Sequence, residues 1–419
     1  MSTNGTSWRD GILLKGLSRG RQRRRTDFVT ARPAPTALIE LEMDSAQLLG
    51  RSPRECDLRD AARLIGGKTV MVTGAGGTIG SELVRQVAAY GPATLVLVDN
   101  AEFNLYEIDL ELRLSGHAEL IEPRLVDVCR RDHLMEVFAE FKPDVVLHAA
   151  AYKHVPIVEA NPCPAALVNV LGAKTVFDAA VESGTETVVF ISSDKAVNPT
   201  SFMGATKRVA ELYAQALDIA QTGTRFVTVR FGNVLASTGS VAPLFQRQIQ
   251  RGGPVTVTHP DVKRYFMTTR EAASLVLQAA SLDTDSRGVS HDGRIFVLDM
   301  GEPVNITTLA ERMIEAQGLR PHEDIQIEYV GLRPGEKLFE EIFSDLERLV
   351  KTGADGVLLA SPSMIDLPLL NPRLADIVRR AESADRARLE EAVHHLVPEF
   401  RPDDRERAAE APVAVKAAE

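Results

Sequence analysis

Two stretches of this 419-residue chain carry residue types whose spacing can do chemistry. The first is Gly74-Ala75-Gly76-Gly77-Thr78-Ile79-Gly80. It lies between an apolar, β-branched run and an amphipathic run, so it reads as a strand–loop–helix junction. Glycines there serve three needs: a tight turn, close approach of backbone to a pyrophosphate, and close packing of helix on strand. The helix that opens at Thr78 and Ile79 offers free N–H groups and a positive dipole end to the anion. The second stretch is Ser192-Ser193-Asp194-Lys195, followed by Met203 and Lys207. It sets hydroxyls, an acid and an amine side by side at the end of an apolar run. In a closed site such a pair has shifted pKa values and can exchange protons with a substrate; on an open surface it is an ordinary ion pair. Met203 and Lys207 are four residues apart, so a helix puts both on one face.

Further candidates follow from position. Asp99 ends the second apolar run, 19 residues after Gly80. A carboxylate there accepts hydrogen bonds from a ribose 2′-hydroxyl and repels a 2′-phosphate. No arginine occurs in the Asn-Ala-Glu-Phe-Asn that follows, which favours NAD, with NADP as the alternative. Asp127 and Val128, at the end of the third run, are placed to meet an adenine edge. Ala149 and Ala150, at the end of the fourth, border the same cofactor. Cys56, Cys129 and Cys163 have no disulfide or metal-ligand spacing, so no metal is expected and a reducing, cytoplasmic compartment is.

Positioning these groups takes a particular scaffold. Strand-like runs occupy 68–74, 94–99, 120–128, 144–150, 187–193 and 226–231, with helix-length amphipathic segments such as 81–90 and 166–184 between them. Apolar strands alternating with helices imply crossover units and a doubly wound, Rossmann-like parallel α/β sheet. The expected organisation is a disordered basic arm (1–35), a helical lead-in (36–66), a dinucleotide-binding domain (67–235), a second part (236–400) and a disordered tail (401–419). The second part reads as a smaller α/β portion containing strands near 295–300 and 325–330, with some segments returning to the sheet.

Composition sets the outer bounds. The chain is 44% hydrophobic and 25% charged, as expected of a globular protein with a large core. It contains no run of 18 apolar residues and no signal-peptide core, so neither a transmembrane segment nor a cleaved leader is expected. The net charge of −10 hides an asymmetry. Residues 1–35 carry eight basic groups against Asp10 and Asp27, so the remainder stands at −16. That acidity argues against a nucleic-acid partner. The basic arm, which includes Trp8, is suited to weak, salt-sensitive contact with an anionic membrane face.

The longer strings carry a resemblance. GAGGTIGSE, LVDNAEFNLYEID, HAAAYKHVPIVEANP, SSDKAVNPTSFMGATK, RFGNVLASTGSVAPLF and LRPGEKL resemble the extended short-chain dehydrogenase/reductases. Within that superfamily the chain is similar to the nucleotide-sugar 4,6-dehydratases of bacterial polysaccharide biosynthesis, over roughly residues 45–345. Large members of that group have membrane-spanning N-terminal regions; this chain reads as a soluble form. The resemblance implies a nucleotide-sugar-binding C-terminal part, homo-oligomers, and 4,6-dehydration of a UDP-N-acetylhexosamine, most simply UDP-N-acetylglucosamine. A nucleotide-sugar epimerase and a catalytically silent nucleotide-binding module are the alternatives.

It also implies roles. Asp194 is the acid that protonates the departing C6 hydroxyl. Lys195 is the base at C5, or the cation that stabilises the enolate. Lys207 holds the nicotinamide ribose, and Ser193 meets the sugar C4 oxygen. Met203 stands where the superfamily has tyrosine, and a thioether has no proton to exchange. The C4 proton then falls to Tyr152, with Lys195 or Lys207 as the alternatives. Lys153, Asn233, Arg264, Arg333 and Glu336 are the expected substrate anchors, since a nucleoside diphosphate calls for arginines and amides.

Overall fold

In the computed structural model, residues 45–54, 56–282, 293–344 and 347–402 are described. The basic arm, the first part of the lead-in and nearly all of the tail lie outside the described residues. The core of the fold begins with continuous apolar runs, which make strands covered on both faces. These are β1 (Thr69–Thr73), β2 (Thr94–Asp99), β3 (Ile121–Leu125), β4 (Val145–His148), β5 (Thr187–Ile191), β6 (Arg225–Arg230) and β7 (Ile295–Leu298). A hairpin, β8 (Arg348–Lys351) and β9 (Val357–Ser361), completes one sheet in the order β8-β9-β7-β6-β5-β4-β1-β2-β3. The seven strands from β7 to β3 are parallel; β9 runs antiparallel to β7, and β8 antiparallel to β9. Strand order reverses between β1 and β4, and the crevice at such a switch point is where ligands bind in doubly wound sheets. The expected α/β fold class is what the chain forms.

Two apolar layers cover the sheet. On one face α1 (Thr78–Ala89) and the helix Thr269–Ser281 seal a cluster around Val72, Leu97 and Val229. On the other, α2 (Phe202–Ala220) joins Phe177, Phe190 and Val146. The helices Leu367–Glu382 and Arg386–Leu396 pack over α2. The stretch Pro162–Ser183 has the length and apolarity of a membrane span, yet 61% of its apolar 18-residue window is buried inside this fold. Its middle, Leu167–Gly172, is a π-helical turn.

The region after residue 235 divides. Ile295–Leu298 is wholly buried and belongs to the main sheet beside β6, not to a separate layer. Among the described residues, Ile327–Tyr329 pairs with Val255–Val257 in a small separate parallel ladder. Within the described part of the lead-in, Ser45–Leu49 and Arg59–Ile65 are helical. Between them Arg51 pairs with the buried Glu271 at 2.8 Å and tethers this segment to the sheet's cover.

Candidate active site

The glycine junction is built on close approaches. Gly74 has φ 69°, and a Cβ there would lie 2.6 Å from the Ala150 nitrogen. A Cβ on Gly80 would lie 1.9 Å from the Gly74 carbonyl oxygen, so only glycine lets α1 start this close to β1. The Gly76 and Ala101 N–H groups each donate to the Asp99 carboxylate at 2.9 Å. Asp99 therefore closes the loop as well as facing the adjoining cavity. That cavity, about 260 Å³, is bordered by Gly74, Gly77, Asp99, Asp127, Val128, Ala149 and Ala150. No cation is among its lining groups. A second cavity, about 420 Å³, adds Thr78, Ile79, Gly80, Lys153, Ser193, Lys195, Met203, Lys207 and Asn233. The two share Gly77, Ala149, Ala151 and Tyr152. Both chemistry-bearing stretches of the sequence thus border one elongated cleft at the carboxyl ends of β1, β4 and β5. A backbone cradle without side chains, continuing into a wider cavity, fits a dinucleotide.

Asp194 and Lys195 occupy a short 3₁₀ turn capped by Ser193. Asp194 is fully buried. Its Oδ1 accepts from the Ser193 hydroxyl at 2.9 Å and from Lys195 Nζ at 3.1 Å. Its Oδ2 is buried with no hydrogen-bond partner among the described residues. A buried carboxylate oxygen without a donor is costly unless a ligand or water completes it. Lys195 Nζ also reaches Asn233 Oδ1 at 3.4 Å and Glu340 Oε1 at 3.5 Å. Burial pushes the Lys195 ammonium down, but the Asp194 and Glu340 carboxylates more than offset it and hold it above the ordinary lysine value.

Met203 and Lys207 are both buried on α2. Lys207 Nζ donates to the Ile191 carbonyl oxygen at 2.5 Å and sits 4.2 Å from the Phe190 ring centre. Burial lowers it to about 7, against the opposing pull of Glu211. Tyr152 is 46% exposed, and its backbone is held by Asn169, whose Oδ1 accepts the Tyr152 N–H at 2.8 Å. Burial, with Lys195 nearby, also lowers Lys153.

A third cavity, about 210 Å³, is bordered by Asn233, Thr258, Arg264, Arg333 and Glu336. Arg264 is mostly committed to structure: it donates to the carbonyls of Lys263, Leu338 and Lys337 and to Glu336. Glu336 also accepts from Thr258 and from the Arg333 N–H, each at 3.1 Å. Arg333 itself is exposed, its side chain bordering the cavity.

The roles of several residues here escape sequence reading. Ser192, beside Ser193, donates at 2.6 Å to the buried Glu211, which Arg230 and Arg208 also hold. It belongs to the ion cluster behind the site. His148 lies beneath it, hydrogen-bonded to Thr73 at 2.7 Å and held neutral by burial and by Lys207, at about 3. Glu340 is the most consequential. Its only sequence signal is a second acid pair downstream of the LRPGEKL string.

The family model described as polysaccharide biosynthesis protein matches residues 70–362. The chain belongs to that family. A capsular polysaccharide biosynthesis protein of Staphylococcus aureus is 48% identical, over 73% of this chain and 50% of its own length. An inverting UDP-N-acetylglucosamine 4,6-dehydratase of Campylobacter jejuni is 30% identical, over 72% of this chain and 85% of its own. Among solved structures, Pen from Bacillus thuringiensis is 30% identical with a TM-score of 0.63, over 72% of this chain and 92% of that one. The chain spans about half the length of the first curated relatives it matches.

Proposed function

We propose that this chain is an NAD-dependent 4,6-dehydratase of a UDP-N-acetylhexosamine, with UDP-N-acetylglucosamine as the first substrate to test. The observation that supports it most is the buried Asp194–Lys195 pair, with one Asp194 oxygen unpartnered among the described residues, whose Lys195 borders the same cleft as the glycine cradle. The cradle and the cation-free lining around Asp99 suit NAD over NADP. When bound, the nicotinamide would store the hydride from C4 and return it to C6.

The chain's own residues do the rest. Ser193 and Asn233 orient the sugar near Lys195. Lys195, held as an ammonium, stabilises negative charge on the C4 oxygen while the C5 proton passes to the Asp194 carboxylate. Asp194 delivers a proton to the departing C6 hydroxyl. Met203 cannot take the C4 proton. Lys207, half amine near neutral pH in the same cavity, is the acceptor the geometry supports better, and Tyr152 is the second. Arg333 and the Arg264–Glu336 pair bind the nucleoside diphosphate end.

The second reading is a 4-epimerase, because a UDP-glucose 4-epimerase of Rickettsia canadensis is also a relative, at 32% identity over 66% of this chain and 78% of its own. One experiment separates them. Purified protein with NAD and UDP-N-acetylglucosamine should yield a product lighter by one water. A product of unchanged mass and new stereochemistry would establish the epimerase. Binding without conversion would leave a silent module.

A further inference from the structure

The loop 333–341 brings a carboxylate to the catalytic amine from the far side of the cleft. Glu340 is nearly sealed from solvent, its side chain 3% exposed. Its Oε1 lies 3.5 Å from Lys195 Nζ and 3.7 Å from Arg264 Nε. Its Oε2 is buried and, among the described residues, has no hydrogen-bond partner. It borders a cavity of about 140 Å³ together with Lys195, Arg264, Arg333 and Glu336.

The placement is not accidental slack in a loop. Thr200, five residues beyond Lys195, donates to the Gly335 carbonyl at 3.1 Å. Lys337 Nζ donates to the Val197 carbonyl at 3.1 Å, and the Lys263 N–H to the Leu338 carbonyl at 3.1 Å. Gly335 has φ 72°, and a Cβ there would lie 2.9 Å from Ser201 Cβ. The loop is therefore stitched to the segment that follows the Asp194–Lys195 turn on one side, and to the Arg264 strand on the other. A carboxylate held this way with incomplete hydrogen bonding is retained at an energetic cost.

We propose that Glu340 is a positioning residue for Lys195: with Asp194 it grips the ammonium between two buried carboxylates, so the substrate-binding side of the cleft sets the place and charge of the catalytic amine. This rests on the dehydratase reading for its kinetic consequence, not for its electrostatic one. The charged groups facing Lys195 are Asp194 on its own turn, Glu340 and Arg264 from across the cleft, and Lys153 from the loop after β4. Removing the Glu340 charge leaves Asp194 alone against burial, Arg264 and Lys153. The Lys195 titration must then move to lower pH.

The test uses the full chain with labelled lysines. The Lys195 resonance, assigned by its loss in Lys195→Arg, is followed through a pH titration in wild type, Glu340→Gln and Glu340→Asp. In Glu340→Gln the midpoint should fall by about one pH unit or more. In Glu340→Asp, which keeps the charge one methylene away, the fall should be smaller. With UDP-N-acetylglucosamine, kcat of Glu340→Gln should drop about 10- to 100-fold while KM changes little, and Glu340→Asp should recover part of it. An unchanged Lys195 midpoint in Glu340→Gln overturns the proposal. If Glu340→Gln fails to fold, Glu340→Ala, which also removes the charge, decides, and an unmoved midpoint there overturns it equally. If wild type converts no substrate, the dehydratase reading fails while the titration still decides the role of Glu340.

Discussion

Lys207 Nζ donates a 2.5 Å hydrogen bond to the carbonyl oxygen of Ile191, pinning the amine of α2 to the end of β5. The same burial that makes this contact lowers the group to about 7. Above that pH the folded protein presents a neutral amine that can accept a proton; below it, an ammonium that cannot. The expected outcome is a kcat/KM that falls about tenfold per pH unit below pH 7. Lys207→Arg, charged at every accessible pH, should be inactive across the profile. Tyr152→Phe should keep turnover within about threefold, since one hydroxyl removed from a half-exposed position loses at most a modest interaction. A Tyr152→Phe variant that loses the same limb would transfer the C4 proton to the phenol.

Asp194→Asn removes the acid and leaves the shape. C4 oxidation should survive, seen as accumulation of reduced-nicotinamide absorbance, while water loss slows by about 100-fold or more. Dehydration at the wild-type rate would remove Asp194 from the acid role.

Arg333 and Arg264 border the same cavity but should behave differently. Arg333 is exposed and free to meet phosphates, so Arg333→Ala should raise KM for the UDP-sugar about tenfold or more with kcat nearly constant. Arg264 holds three backbone carbonyls of its neighbourhood. Arg264→Ala should also lower the thermal midpoint, which separates an anchor of the substrate from an anchor of the fold.

The glycines of the cradle divide likewise. Gly80→Ala would drive a methyl into the Gly74 carbonyl and should destabilise the fold by about 1–3 kcal/mol in urea titration. At Gly77 the nearest atom to a new Cβ is 3.2 Å away. Gly77→Ala should fold almost normally and instead weaken NAD binding, measured by calorimetry, because the methyl points to where backbone must approach the pyrophosphate.

Much of the site was legible because its parts are local. The spacing Gly74–Gly80, the acid at Asp99 and the Ser193-Asp194-Lys195 run each sit at the end of an apolar strand, and parallel strands bring their carboxyl ends to one edge. Pattern therefore implied that they meet. Arg264 was half-legible: the resemblance marked it as an anion binder, but nothing in the string told that three carbonyls and Glu336 already occupy it. Ser192 and Ser193 look equivalent in the chain, and only the side on which each leaves β5 decides that one serves Glu211 and the other Asp194.

By itself the sequence determined the parallel sheet, the cradle, and which adjacent acid and amine could do the chemistry, because those depend on hydrophobic period and on neighbours in the chain. Tertiary structure alone decided that Ile295–Leu298 and the hairpin β8–β9 extend the main sheet, that the apolar Pro162–Ser183 stretch is core, and that Glu340 closes on Lys195. Each of these joins segments far apart in the chain. Their pairing is set by burial, by backbone hydrogen bonds between loops and by the low dielectric that makes a 3.5 Å charge contact matter, none of which has a period or a spacing to read.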